Sequence, residues 1–144
     1  MPNDDTIKLL KECNAGVKMA VASFDEVMDH VQNADFKKLL QENCEEHKKI
    51  GDQTHELLLR YDDEDKEPNP VAKAMSWMKI NMKMLQNQSD QEVAEIMMDG
   101  CNMGIKSIYR YLNQYASAEQ EVKKLVDSIV KVEESLMKDL RVYL

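Results

Sequence analysis

Read at alternating spacings of four and three, the stretch from Phe36 to Tyr61 gives Phe36, Leu40, Asn43, His47, Ile50, Thr54, Leu57 and Tyr61. That spacing keeps one helix face turned toward a core over several turns. Three seam members, Asn43, His47 and Thr54, are polar. Buried and unpaired, each would cost about 1–3 kcal/mol, so a fold either supplies them with hydrogen bonds or uses them to hold something.

The same spacing appears earlier in the chain as Leu10, Cys13, Val17, Ala20, Phe24, Val27 and Val31, which predicts a first helix opened by Asn3 and running to about Val31. Asn33 then caps the Phe36 helix after so short a break that the two must form an antiparallel hairpin. A charged, proline-marked loop from Asp62 to Asn69 follows, the one interior candidate for mobility. Asn69-Pro70 reads as an N-cap followed by proline at the first helical position, opening a shorter helix over about 70–87. That helix has two apolar faces, one with Val71, Met75, Met78, Met82 and Leu85, the other with Trp77, Ile80 and Met84. With the first face on the bundle, Trp77, Ile80 and Met84 become an exposed partner surface. Capping-box patterns at Ser89/Glu92 and Ser117/Gln120 open two further long helices, the first ending near Ala116. Their seams are Val93, Met97, Cys101, Gly104, Ile108, Tyr111 and Tyr115, then Val122, Val126, Ile129, Glu133, Leu136, Leu140 and Tyr143. Four long helices and a short inserted one make an all-α, four-helix bundle forming a single domain over residues 1–144. The breaks on either side of the short helix favour a crossover that makes the second and third long helices parallel, over a plain up-down-up-down order.

Composition narrows the function. Four Gly and three Pro in 144 residues suit an all-helical protein. A net charge of −8 argues against a nucleic-acid surface. No apolar run approaches the ~20 residues of a membrane span, and the acidic Met1-Pro2-Asn3-Asp4-Asp5 start does not read as a secretory signal. Three cysteines, an odd count, point to a reducing cytoplasm. No phosphate loop or nucleophile elbow is present, so an enzyme is not expected. The eleven methionines suit adaptable packing, with thioether binding of Cu(I) as the alternative.

With its paired hairpins, inserted short helix, His47 midway along the second helix and Glu133 midway along the last, the chain resembles the ferritin-like superfamily, in particular its small uncharacterised bacterial branch. The resemblance implies a di-metal centre in which two helices each give a Glu and two others each give Glu-x-x-His, about six protein ligands in all. Here Cys44-x-x-His47 replaces one such motif and Glu133-x-x-Leu136 the other, the first helix has no seam carboxylate, and Cys101 and Gly104 stand where another is expected. The candidate ligands are His47, Glu133, Cys44 and Cys101. The bland reading has His47 hydrogen-bonded to Glu133 or Asn43 and fixing helix register. No cofactor is expected, residual Fe, Zn or Cu(I) binding being the alternative. The chain therefore reads as a structural or protein-interaction module of the cytoplasm, a homodimer or docking on a protein partner through the 70–87 helix, with no nucleic-acid or membrane partner. The competing reading is a metal-binding or redox protein centred on His47 and Glu133.

Overall fold

The computed structural model describes residues 2–86 and 88–144, and for residues 85 and 86 the backbone only. Among these residues there are five α-helices and no strand: α1 (Asp4–Met28), α2 (Ala34–Arg60), α3 (Pro70–Gln86), α4 (Asp90–Gln114) and α5 (Gln120–Leu140), followed by a 3-10 turn over Arg141–Tyr143. The expected end of the short helix near Asn87 and the placement of the Leu85 side chain lie outside what is described.

Local chemistry sets most helix starts. Asn3, Asn33 and Ser89 each accept a hydrogen bond from the backbone N–H three residues on, and Asn69 accepts from Val71 and Ala72. Helix α1 stops at Met28, before Val31. Helix α2 ends in a Schellman pattern, with Asp63 N–H donating to the Leu58 carbonyl and Asp62 N–H to that of Leu59. Asp62 takes the left-handed conformation there, φ 55°, which an aspartate tolerates.

The start of α5 differs from the pattern. Ser117 does not cap it; the N-cap is Glu119, which makes no side-chain capping bond. The start of α1 supplies the acceptors instead: Ser117 N–H donates to Asp5 and Glu119 N–H to Thr6 Oγ1. Asn3 returns a bond to the Ser117 carbonyl.

Helix α1 packs on α2, α4 and α5, α5 also packs on α2 and α4, and α3 lies across α1 and α4. The core falls into two apolar clusters. One gathers the end of α1 (Phe24, Val27), the start of α2 (Phe36, Leu40, Cys44), the start of α4 (Val93, Met97, Cys101) and the end of α5 (Leu136, Leu140). The other gathers the opposite ends, with Leu9, Leu10, Val17, Leu57, Ile108, Val122 and Val126 among its members. Helices α2 and α4 therefore run the same way, and α3 spans the length between the end of one and the start of the other. At the junction, Asp90 accepts from the backbone N–H groups of Gln32 and Asn33.

The acidic loop is pinned to the bundle. Asp63 pairs with Lys11 at 2.7 Å, and Asp65 and Glu67 with Lys18 at 3.0 and 2.8 Å. His55 meets Asp65 at 2.8 Å, and Lys66 pairs with Glu12. Inside the bundle, Asn14 donates to Thr54 Oγ1 and accepts from Lys66 N–H, so a buried amide ties the loop to two helices. The composition of this stretch signals mobility; the cations of α1 hold it down.

Candidate functional site

The site lies where the two apolar clusters meet. His47 follows Cys44 of one cluster and precedes Ile50 of the other; Glu133 stands likewise between Val130 and Leu136. The helical seams thus carry one ionisable residue from α2 and one from α5 to the same level. Both are buried, His47 to 1% and Glu133 to 7% exposure.

His47 is held on both sides. Its Nδ1 lies 2.7 Å from the Asn43 carbonyl oxygen, and its Nε2 lies 2.5 Å from Glu133 Oε1. A carbonyl oxygen only accepts, so Nδ1 carries a proton. Nε2 and the carboxylate then share a second one. Burial works against a charged ring, but the Glu133 hydrogen bond and charge, with the Asn43 carbonyl, outweigh it and raise the His47 pKa above its ordinary value. Phe24 of α1 packs against the imidazole, ring centroids 5.0 Å apart.

From α4, Cys101 is buried near Glu133, and its thiol pKa is raised, first by burial and then by the charge of that carboxylate. Gly104, one turn on, leaves room beside Glu133 Oε2: a methyl added there would stand 3.9 Å from that oxygen. Of the four expected ligands, His47 and Glu133 meet directly, with Cys101 beside the carboxylate. Cys44 does not join them. The charges that act on its thiol are Lys48, Asp25 and Glu45, and burial raises its pKa first. Cys13 is likewise pushed up, to about 12, by burial and then Glu12. All three cysteines are free and buried.

This donor set does not fit a di-metal carboxylate centre. It has one carboxylate, already hydrogen-bonded to an imidazole, where such a centre draws about six ligands, most of them carboxylates, from four helices. Phe24 occupies the α1 side of the layer. Among the described residues, no three His, Cys, Asp or Glu side chains are placed to hold a metal ion together.

On α3 the structure reverses the expected faces except at Trp77, which is exposed as expected. Ile80 and Met84 are buried, at 4% and 2% exposure, and join the core cluster of Phe24 and Met97. Trp77 is 54% exposed, while Val71, Met75, Met78 and Met82 point outward. Burial of Ile80 and Met84 in that cluster favours this face, and Asn81, beside Ile80, adds a bond to Glu26 of α1. Met75, Met78 and Met82 line an open hollow of about 390 Å³ with Lys79 and Lys83. Two ammonium groups on its rim oppose a copper ion there. Sequence reasoning also missed Asn14 and Phe24 as the residues that satisfy Thr54 and cover His47; each lies on another helix, so no local signal marks the pairing.

The sequence profile of a family described as "Domain of unknown function (DUF2383)" matches residues 5–114. No curated protein sequence matches the chain. Among solved structures, the "Crystal structure of DUF305 fragment from Deinococcus radiodurans" superposes with a TM-score of 0.74. The match covers 97% of this chain and 95% of that one at 13% identity, a likeness of fold. No helix among the described residues is long and apolar enough to cross a membrane.

Proposed function

This chain belongs to the DUF2383 family, a domain of unknown function, and we propose that it is a non-catalytic structural or interaction module. We read it as a ferritin-like four-helix bundle with α3 in the crossover, in which a proton-sharing core pair replaces a di-iron centre. One observation carries this reading: the polar groups at the middle of the core are satisfied by one another. His47 uses both ring nitrogens, on Asn43 and Glu133, and among the described residues no buried side-chain nitrogen or oxygen lacks a partner. Such a pair fixes the register of α2 against α5, a role that polar seam residues can serve. Three free, buried thiols suit a cytoplasmic setting.

The second reading, a metal-binding or redox protein, draws on the meeting of His47 and Glu133, with the Cys101 thiol beside the carboxylate. One experiment separates the two. The protein is purified anaerobically, challenged with Fe(II), Zn(II) and Cu(I), and assayed for metal beside a His47→Ala variant. The structural reading expects no stoichiometric metal and a variant that is merely less stable. Stoichiometric metal that disappears in the variant overturns it.

A further inference from the structure

Helix α3 is chemically unlike the rest of the molecule. Pro70–Gln86 contains Lys73, Lys79 and Lys83 and no Asp or Glu, in a chain whose net charge is −8. Only its far half is seated in the core, through Ile80 and Met84. Over residues 71–79 every side chain is exposed except the half-buried Ser76. Val71, Met75, Met78 and Met82 follow one another at spacings of four, three and four, so they form a single outward strip. Each is more than half exposed. Lys79 and Lys83 flank this strip. Lys83 lies 4.0 Å from Glu92 and 3.9 Å from Asp99, whereas Lys73 and Lys79 make no ion pair among the described residues.

We propose that this face docks on an anionic lipid surface, α3 lying in the headgroup plane with Val71, Met75, Met78 and Met82 toward the acyl chains. The proposal gives the interaction module proposed above a lipid partner, against the expectation of no membrane partner drawn from the sequence, and it rests on that reading only in taking the chain to be an interaction module. An apolar strip edged by lysines is the pattern of a helix that lies on a membrane without spanning it. Charge selects the surface: each lysine near an anionic leaflet adds to the attraction. The acidic side chains that meet α3 are engaged by it: Glu26 of α1 accepts from Asn81, and Glu92 and Asp99 of α4 lie 4.0 and 3.9 Å from Lys83. A second copy fits the same face less well. Two α3 strips paired antiparallel would set Lys79 and Lys83 of both chains along one shared edge, like charge beside like charge.

The test uses the whole chain with vesicles of phosphatidylcholine alone and of phosphatidylcholine with phosphatidylglycerol. Co-sedimentation reads binding, and peroxide oxidation with mass spectrometry reads the burial of Met75, Met78 and Met82. The proposal expects binding to the anionic vesicles only, weakened by salt, with the three methionines protected. Lys79→Glu should lower partitioning by about tenfold or more, and Met78→Glu should abolish it. Both variants should keep the wild-type circular dichroism, since both sites are exposed. Lys38→Glu, on an exposed part of α2, should bind as the wild type does. Equal binding to both vesicle types, no binding at low salt, or binding indifferent to Met78→Glu would each overturn the proposal. So would a dimer that sediments without lipid and is lost in Met78→Glu, which would make the strip an interface between copies. None of these outcomes depends on the metal assay, so lipid docking and the structural reading of the core can fail separately.

Discussion

Helices α2 and α3 carry the same kind of signal, and the fold treats them in opposite ways. On α2, the expected seam is buried except at Asn43 and Tyr61, which are half-buried, and its polar members His47 and Thr54 are at 1% and 0% exposure. On α3, an uninterrupted strip of valine and methionine faces outward. Periodicity identifies a face; what the neighbouring helices offer decides whether it is covered. For α2 the neighbours supply a carboxylate opposite His47 and an amide opposite Thr54. For α3 they supply one attachment line, at Ile80, Asn81 and Met84. The polar residues of α2 are thus structural because they are answered. The apolar residues of α3 remain available because they are not.

The sharpest way to break this contrast is to leave His47 unanswered. Glu133→Leu should cost roughly 3–5 kcal/mol in urea unfolding, the range for removing one partner of a buried pair. Adding His47→Leu should recover most of that loss, because two apolar side chains replace the pair. A double variant as unstable as the single would mean that the two residues do not act as a unit. The pair also gives stability a pH dependence of definite sign. The folded-state pKa of His47 is raised above its ordinary 6.5. Its contribution is therefore complete below about pH 6.5 and is lost as pH climbs through the folded value. Urea midpoints taken across that range should fall in the wild type relative to the double variant.

Next in size comes the covered side of α3. Met84→Ala should cost about 2–5 kcal/mol, as for other truncations of buried aliphatic side chains. Loss of less than about 0.5 kcal/mol, the scale of surface changes, would mean that α3 is not seated through this residue. Smaller again is the tie between the bundle and the acidic loop. Asn14→Ala strands the Lys66 amide and removes the donor to Thr54 Oγ1, whose hydroxyl keeps its bond to the Gly51 carbonyl, and should cost about 1–3 kcal/mol. Hydrogen exchange at Lys66 should speed up with it.

How much of this was legible in the sequence follows the same division. The starts at Asn3, Asn33, Asn69 and Ser89 were readable because a cap and its donors lie within three residues of each other. Ser117 misled because the acceptors at the start of α5 come from Asp5 and Thr6, more than a hundred residues away. His47 and Glu133 announced themselves as polar residues on apolar seams, and midpoint positions on two helices were enough to suggest their pairing. Cys44 was drawn in by its spacing from His47, yet i, i+3 spacing on one helix does not bring a side chain to a partner on another. On α3, two apolar faces on one short helix left a binary choice. The contacts on the inward side, Ile80 and Met84 in the core cluster and the bond from Asn81 to Glu26 across 55 residues, are ones that no local pattern contains.

The smallest expected effect tests the other side of the contrast. Met75→Lys replaces an apolar side chain that is 66% exposed with a charged one. If the strip is covered by nothing within the chain, the substitution removes no contact and buries no charge. Stability should then change by less than about 0.5 kcal/mol, as is usual for surface positions away from special features. Met84 and Met75 lie on one helix, nine residues apart, and their substitutions should differ several-fold in cost. A large loss at Met75 would show that the strip is covered in solution, and sedimentation of the same variant would tell whether a second copy had covered it.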